Sequence, residues 1–181
     1  KDDAEVNRIS TKTAKNITIG KLLDLGDITS HLYTYEPPAT HNSSIGCPAD
    51  GSDYDLSKSA SANCYIVDGS VAANANKVFK FKAYKGKGTT EVGKINSVQV
   101  LWETWNNAET VSAKSVINAV DYDKQESNAY YEICFKMPET IHAGNALIAA
   151  KDDLGNILWS WHIWVPATTI TSSTYGGISA S

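Results

Sequence analysis

No apolar run in this chain approaches the ~20 consecutive residues that a membrane-spanning helix requires. The usual signatures of catalysis are missing as well. There is no GxSxG, no HExxH, no GxxxxGK[ST] and no glycine-rich dinucleotide fingerprint. Serine-hydrolase, zinc-protease, phosphate-loop and dinucleotide chemistry therefore have no support in the sequence. Cysteine is scarce, with only Cys47, Cys64 and Cys134, and an odd count is not a disulfide framework. One bridge fits that count; the simpler reading is three small buried or half-buried thiols. No CxxC or Cys/His spacing supports structural zinc. The net charge of −4 is too mild to imply a nucleic-acid partner or an anionic membrane surface. Helical periodicity of useful length is absent too.

What is present organises itself around residues 145–165, NALIAAKDDLGNILWSWHIWV. An apolar run at 146–150 is followed by Asp152, Asp153, Leu154, Gly155 and Asn156, where Gly155 and Asn156 best tolerate positive φ. Residues 157–165 then form the strongest strand signal, with Trp159, Trp161 and Trp164 inside six positions. Alternation places Ile157, Trp159, Trp161, Ile163 and Val165 on one wholly apolar face, expected to be buried. Leu158, Ser160, His162 and Trp164 fall on the other. The pair predicts a central β-hairpin.

With 181 residues, 42% of them hydrophobic and 20% charged, the chain suits one full hydrophobic core. Residues 1–15 are polar and expected to be a flexible segment. Ile17 and Ile19 suggest a short strand, residues 21–25 (KLLDL) a helical turn or a strand, and residues 31–35 (HLYTY) a strand stopped by Pro37 and Pro38. Residues 40–62 are a long Ser/Gly/Asp-rich loop, a length that is often functional or mobile. Asp50, Asp53 and Asp55, with Ser52, are weak candidates for a calcium site. Their spacing completes no ligand loop, and solvated carboxylates are the plainer reading.

Regular strand signals begin at residue 64. Residues 64–67 (CYIV) form a short strand. In residues 78–83 (VFKFKA), Phe79, Phe81 and Ala83 point inward, while Lys80 and Lys82 point outward as edge-strand lysines do. Val98, Val100 and Trp102 form the buried face of the next strand. A short strand is expected at 116–120, with turn-like residues at 121–128. Tyr131, Ile133, Phe135 and Met137 line one face of a strand that Pro138 closes. Residues 168–181 form a Ser/Thr/Gly tail, or a linker to a further domain. About eight strands with regular turn signals predict an all-β fold, an antiparallel immunoglobulin-like β-sandwich with little helix at residues 16–167. His31, His41 and His142 are scattered, and His162 reads as a structural histidine hydrogen-bonded within the sheet.

The run at 55–67, DLSKSASANCYIV, together with VLWETWNN and the later GNALIAAKDDLGNILWSWHIWV, carries a resemblance. These segments resemble surface proteins of Bacteroidetes described as fimbrillin-like or related cell-surface β-sandwich domains, over residues 55–165. The resemblance implies export to the outer cell surface, with a targeting segment outside this chain, and it brings no catalytic residues. A fimbrial or adhesin-type module, not an enzyme and without cofactor, is thus the leading expectation. Its partners would be other surface or pilus subunits, joined by strand addition. Residues 1–15 and 167–175 are the candidate donor segments. The alternative is a carbohydrate-binding module, or an accessory domain of a secreted glycan-degrading protein. There Trp105 and Trp164, with Trp102 and the tyrosines, would serve as sugar-stacking platforms.

Overall fold

The computed structural model describes residues 40–105, 114–125 and 129–170, and the backbone of 8–9 and 32–33. The chain divides into two compact units, Lys1–Ala39 and Thr40–Ser181. In the first, β1 (Arg8–Ile9) pairs antiparallel with β2 (Leu32–Tyr33), Arg8 opposite Tyr33. β2 lies within the strand expected at 31–35. The expectations for 17–19 and 21–25, for most of 1–15 and for the tail beyond residue 170 lie outside the described residues.

The second unit holds β3 (Cys64–Ile66), a 3-10 turn at Ala72–Asn74, β4 (Val78–Lys82), β5 (Ser97–Trp105), β6 (Ala119–Asp123), β7 (Glu132–Lys136), β8 (Gly144–Lys151) and β9 (Ile157–Val165). They form a four-stranded sheet, β3-β9-β8-β5, and a three-stranded sheet, β4-β7-β6. The fold is an all-β sandwich. Every pairing in the two sheets is antiparallel except β3 with β9, which run parallel.

The hairpin β8–β9 is the centre of the larger sheet, as its sequence predicts. Asp152 organises its turn. One carboxylate oxygen accepts the backbone N–H of Leu154 at 3.0 Å and that of Asn156 at 2.8 Å. Gly155 supplies the left-handed residue at φ +82°. From β9, Trp161, Ile163 and Val165 are fully buried. Trp161 meets Phe81 of the opposite sheet, ring centroids 5.2 Å apart, and its Nε1–H donates to the Tyr84 carbonyl at 3.0 Å. Phe79, Phe81, Ile133 and Phe135 close the core from the other side.

Two β-bulges overturn part of the expected alternation. Between Val100 and Trp102 the register against β8 shifts by one residue. Val98 and Val100 keep facing the core, but Trp102 turns outward and is 45% exposed. A second shift opposite Ala150 and Lys151 does the same to Ile157, which is 54% exposed rather than buried. A one-residue slip flips every side chain beyond it.

The strand expected at 116–120 is also displaced, to Ala119–Asp123. The Glu103 carboxylate accepts the backbone N–H groups of Ser115, Val116 and Ile117 at 2.9, 3.3 and 2.9 Å, so these residues are satisfied outside a ladder. Asp121 and Asp123, which read as turn residues, stay in the strand because the loop at 40–62 offers them donors. Ser44 gives its N–H to Asp121 at 2.7 Å and its Oγ–H at 2.6 Å.

That loop lies across the outer face of the three-stranded sheet. Its residues Tyr54 and Leu56 exchange backbone hydrogen bonds with Lys80 at 2.9 Å each, which occupies the edge of β4. Lys80 is consequently buried, 2% exposed, and not a solvent-facing edge lysine. It donates to the buried Glu132 at 2.7 Å and to Asp50 of the loop. The expectation of three separate thiols fails here as well. Cys47 of the loop and Cys134 of β7 form a disulfide, with Cα atoms 5.6 Å apart, and only Cys64 is a free thiol. An odd count never excluded one pair. The loop simply crosses β7 where Cys134 points outward.

Candidate open-face site

The outer face of the four-stranded sheet has no such cover from residues 40–62, and its make-up follows from register. Cys64 of β3 lies opposite His162 of β9, His162 opposite Leu147 of β8, and Leu147 opposite Trp102 of β5. One row further along stand Ile66, Trp164, Asn145 and Thr104. Ile66 is 46% exposed, Trp164 38% and Trp102 45%. The Trp102 and His162 rings are 6.4 Å apart at their centroids. These exposed side chains, from β3, β9 and β5, flank Leu147 and Asn145 of β8 and make a mixed apolar and aromatic surface.

Polar order runs through its middle. Cys64 Sγ is 3.1 Å from His162 Nδ1, and His162 Nε2 is 2.9 Å from Asn145 Oδ1. The Asn145 carbonyl oxygen can only accept, so Nε2 carries the ring proton and Nδ1 offers a lone pair to the thiol. Burial pushes the Cys64 thiol above its ordinary range, so it stays protonated at neutral pH. Beside His162 a shallow depression of about 440 Å³ is lined by Leu147, Ile157, Leu158, Trp159 and Ser160, with Asn63 at its rim. The Asn63 side-chain oxygen Oδ1 accepts from Trp159 Nε1–H at 2.9 Å and from the Gly86 N–H at 2.9 Å.

Of the candidates drawn from sequence, Trp164 lies on this face. Trp105 does not. Its ring packs partly buried against the core and meets His142 in a tilted arrangement, centroids 4.1 Å apart. The acidic candidates are dispersed. Asp53 pairs with Lys58 at 3.1 Å, and Asp55 accepts from Gly51 N–H at 2.9 Å and from Ser57. Asp50 is held below the ordinary carboxylate range by its bond to Lys80. Tyr130 donates to Asp50 at 3.1 Å, and burial together with that bond pushes its hydroxyl up to about 12. Among the described residues, ligand-type atoms converge only at Cys47, Asp123 and Glu132, where the Cys47 sulfur is already in a disulfide.

Sequence reasoning put Trp102 on a buried strand face while also naming it beside Trp105 and Trp164 as a stacking platform, and it missed the grouping of Cys64, His162 and Asn145. Cys64 and His162 are 98 residues apart, and no spacing rule links them. Only the parallel pairing of β3 with β9 brings them together. Compared with known proteins, the chain matches no family model, no curated sequence and no solved structure.

Proposed function

We propose that this chain is a cell-surface module of fimbrial or adhesin type that contacts its partner through the open face of the four-stranded sheet. The carrying observation is the exposure of Trp102, Trp164 and Ile66 together on that face. Contiguous exposed apolar side chains with polar neighbours are what interaction surfaces use. The motif resemblance at residues 55–165 supports the same reading. So do the terminal positions of β3 and β5, whose outer edges suit β-strand addition by another subunit. No helix among the described residues is long and apolar enough to cross a membrane.

The test is static light scattering on the full chain over a concentration series, with and without residues 168–181. Self-association that disappears on deletion, with unchanged thermal stability, supports assembly by a donated segment. A strictly monomeric chain leaves a single-copy adhesive module.

A carbohydrate-binding reading draws on one specific observation. Trp102 and Trp164 both expose their rings on the same sheet face, flanking β8. Micromolar binding to one defined glycan on an array, abolished by Trp102→Ala or Trp164→Ala, would put this reading first.

A further inference from the structure

Cys64, His162 and Asn145 come from three adjacent strands, β3, β9 and β8. They are joined in one line by hydrogen bonds of 3.1 and 2.9 Å. We propose that they form a thiol acyl-transfer site, in which Cys64 attacks carboxylic esters or thioesters bearing an apolar acyl group. This goes beyond the binding role above and does not depend on it.

The argument is geometric. A cysteine nucleophile needs a base within hydrogen-bond reach and a third group to orient that base. His162 presents Nδ1 to the sulfur. Asn145 fixes the ring from the far side by accepting the Nε2 proton, which sets the tautomer. The imidazole is thus locked in the one form that can take a proton from the thiol.

The fold also explains why the three hold position. Cys64 and His162 are directly opposed across a ladder, and Asn145 is the diagonal neighbour of His162, a distance that a ring side chain spans. Cys64 is exposed to incoming substrate, and the other two cysteines are locked together elsewhere. The one further titratable side chain that the register of these four strands puts on this face is Lys151. It sits away from the thiol and donates to Gln99 at 2.7 Å. No second base on these strands competes for the Cys64 proton.

The chemistry balances without a co-reactant other than water. Sγ bonds to the acyl carbon as the carbon–oxygen bond of the ester breaks. The thiol proton passes to His162 Nδ1 and on to the leaving alkoxide. Water, deprotonated by the same nitrogen, then attacks the thioester and releases the carboxylic acid and the free thiol. The depression beside His162 is lined mainly by Leu147, Ile157, Leu158 and Trp159, with Asn63 and Ser160 as polar neighbours, which favours an apolar acyl group. Burial keeps Cys64 in its neutral form at rest, so deprotonation during attack is the step that His162 must supply.

The experiment is acylation of the full chain by p-nitrophenyl acetate at neutral pH, followed by nitrophenolate release and by intact and peptide mass. The expected result is a single acetyl group on Cys64, formed ~100-fold faster than on a small thiol at the same pH. The site should be lost in Cys64→Ala. The rate should fall ~100-fold in His162→Gln and about tenfold in Asn145→Ala. Asn145→Asp keeps an acceptor for Nε2–H and should restore the rate, which a merely structural role for Asn145 would not produce. Melting temperatures within a few degrees of wild type show that each variant folds. Acylation no faster than that of the small thiol, or equal rates in wild type and folded His162→Gln, overturns the proposal.

Discussion

The two outer faces of this sandwich are built by the same strand alternation and end in opposite conditions. On the three-stranded sheet, Lys80, Cys134 and Asp121 lie in one row, and Lys82, Glu132 and Asp123 in the next. These are polar positions that strand periodicity assigns to water. The loop at 40–62 covers part of this face, so that Lys80, Cys134 and Glu132 are buried and must find partners in each other and in the loop. On the four-stranded sheet, Trp102, Trp164 and Ile66, large and apolar, stay open to solvent. Periodicity decides which face a side chain takes. Whether that face is wet is decided by chain elsewhere.

The interior between the sheets sets the scale for every test of this contrast. Trp161 is fully buried between Phe81 and the hairpin and donates a hydrogen bond to Tyr84. Trp161→Ala should cost about 3–5 kcal/mol through lost burial and the cavity left behind. A denaturant midpoint equivalent to less than about 1 kcal/mol would show that β9 does not carry the core.

The covered face should respond almost as strongly, but through charge. Lys80→Met strands Glu132, 5% exposed, without its cation, and such broken buried pairs cost about 3–5 kcal/mol. Lys80→Met with Glu132→Leu should recover most of that loss, because no buried charge remains unpaired. Burial works against the Lys80 ammonium, yet the two carboxylates outweigh it and raise its pKa. Its contribution is therefore present at neutral pH and lost only as pH rises through that raised value. Asp50 has the opposite sign. Lowered by Lys80, it adds stability above pH 3.8, its ordinary value, and loses it as pH falls further. Asp50 is more than half exposed, so Asp50→Asn should flatten the acid limb only slightly. Equal stability losses in the single Lys80 variant and the double variant would mean that the pair is not what the loop buries.

The disulfide is the loop's other tether. It spans 87 residues, and removing it through Cys47→Ala with Cys134→Ala should cost about 2–4 kcal/mol. A Cys64→Ser background prevents exchange with the free thiol. If the double alanine variant melts with the wild type, the loop's hydrogen bonds to Lys80, Asp121, Lys124 and Tyr130 hold it without the disulfide.

Much of this architecture is legible in the residues. The hairpin at β8–β9 lies where its turn puts it, and the alternation holds from Trp161 to Val165 of β9, as it does on the Phe79/Phe81 and Ile133/Phe135 faces. What alternation cannot show is a bulge, since the extra residue exists only relative to a partner strand. Trp102 therefore reads as core and is found on the surface, and Ile157 likewise. Lys80 reads as a solvent-facing lysine because nothing in VFKFKA records that a loop some 30 residues earlier will lie over it. Cys64 and His162 escape for the same reason, as strand register is a property of the folded sheet and not of spacing.

The open face should yield the smallest effect on stability, and that is what separates it from the covered one. Trp164 shares a strand with Trp161, three residues on, yet it is 38% exposed where Trp161 is fully buried. Its ring covers neighbours on the sheet and no core. Trp164→Ser should therefore cost no more than about 1 kcal/mol, the central value for a substitution that opens no cavity. Trp102→Ser should behave alike, since the bulge at Leu101 has already taken its ring out of the core. If the face is a binding surface, these two variants keep the wild-type unfolding midpoint and lose partner or glycan binding. A loss near that of Trp161→Ala would mean instead that the face is covered in the folded protein. The contrast between the two sides of the sandwich would then disappear.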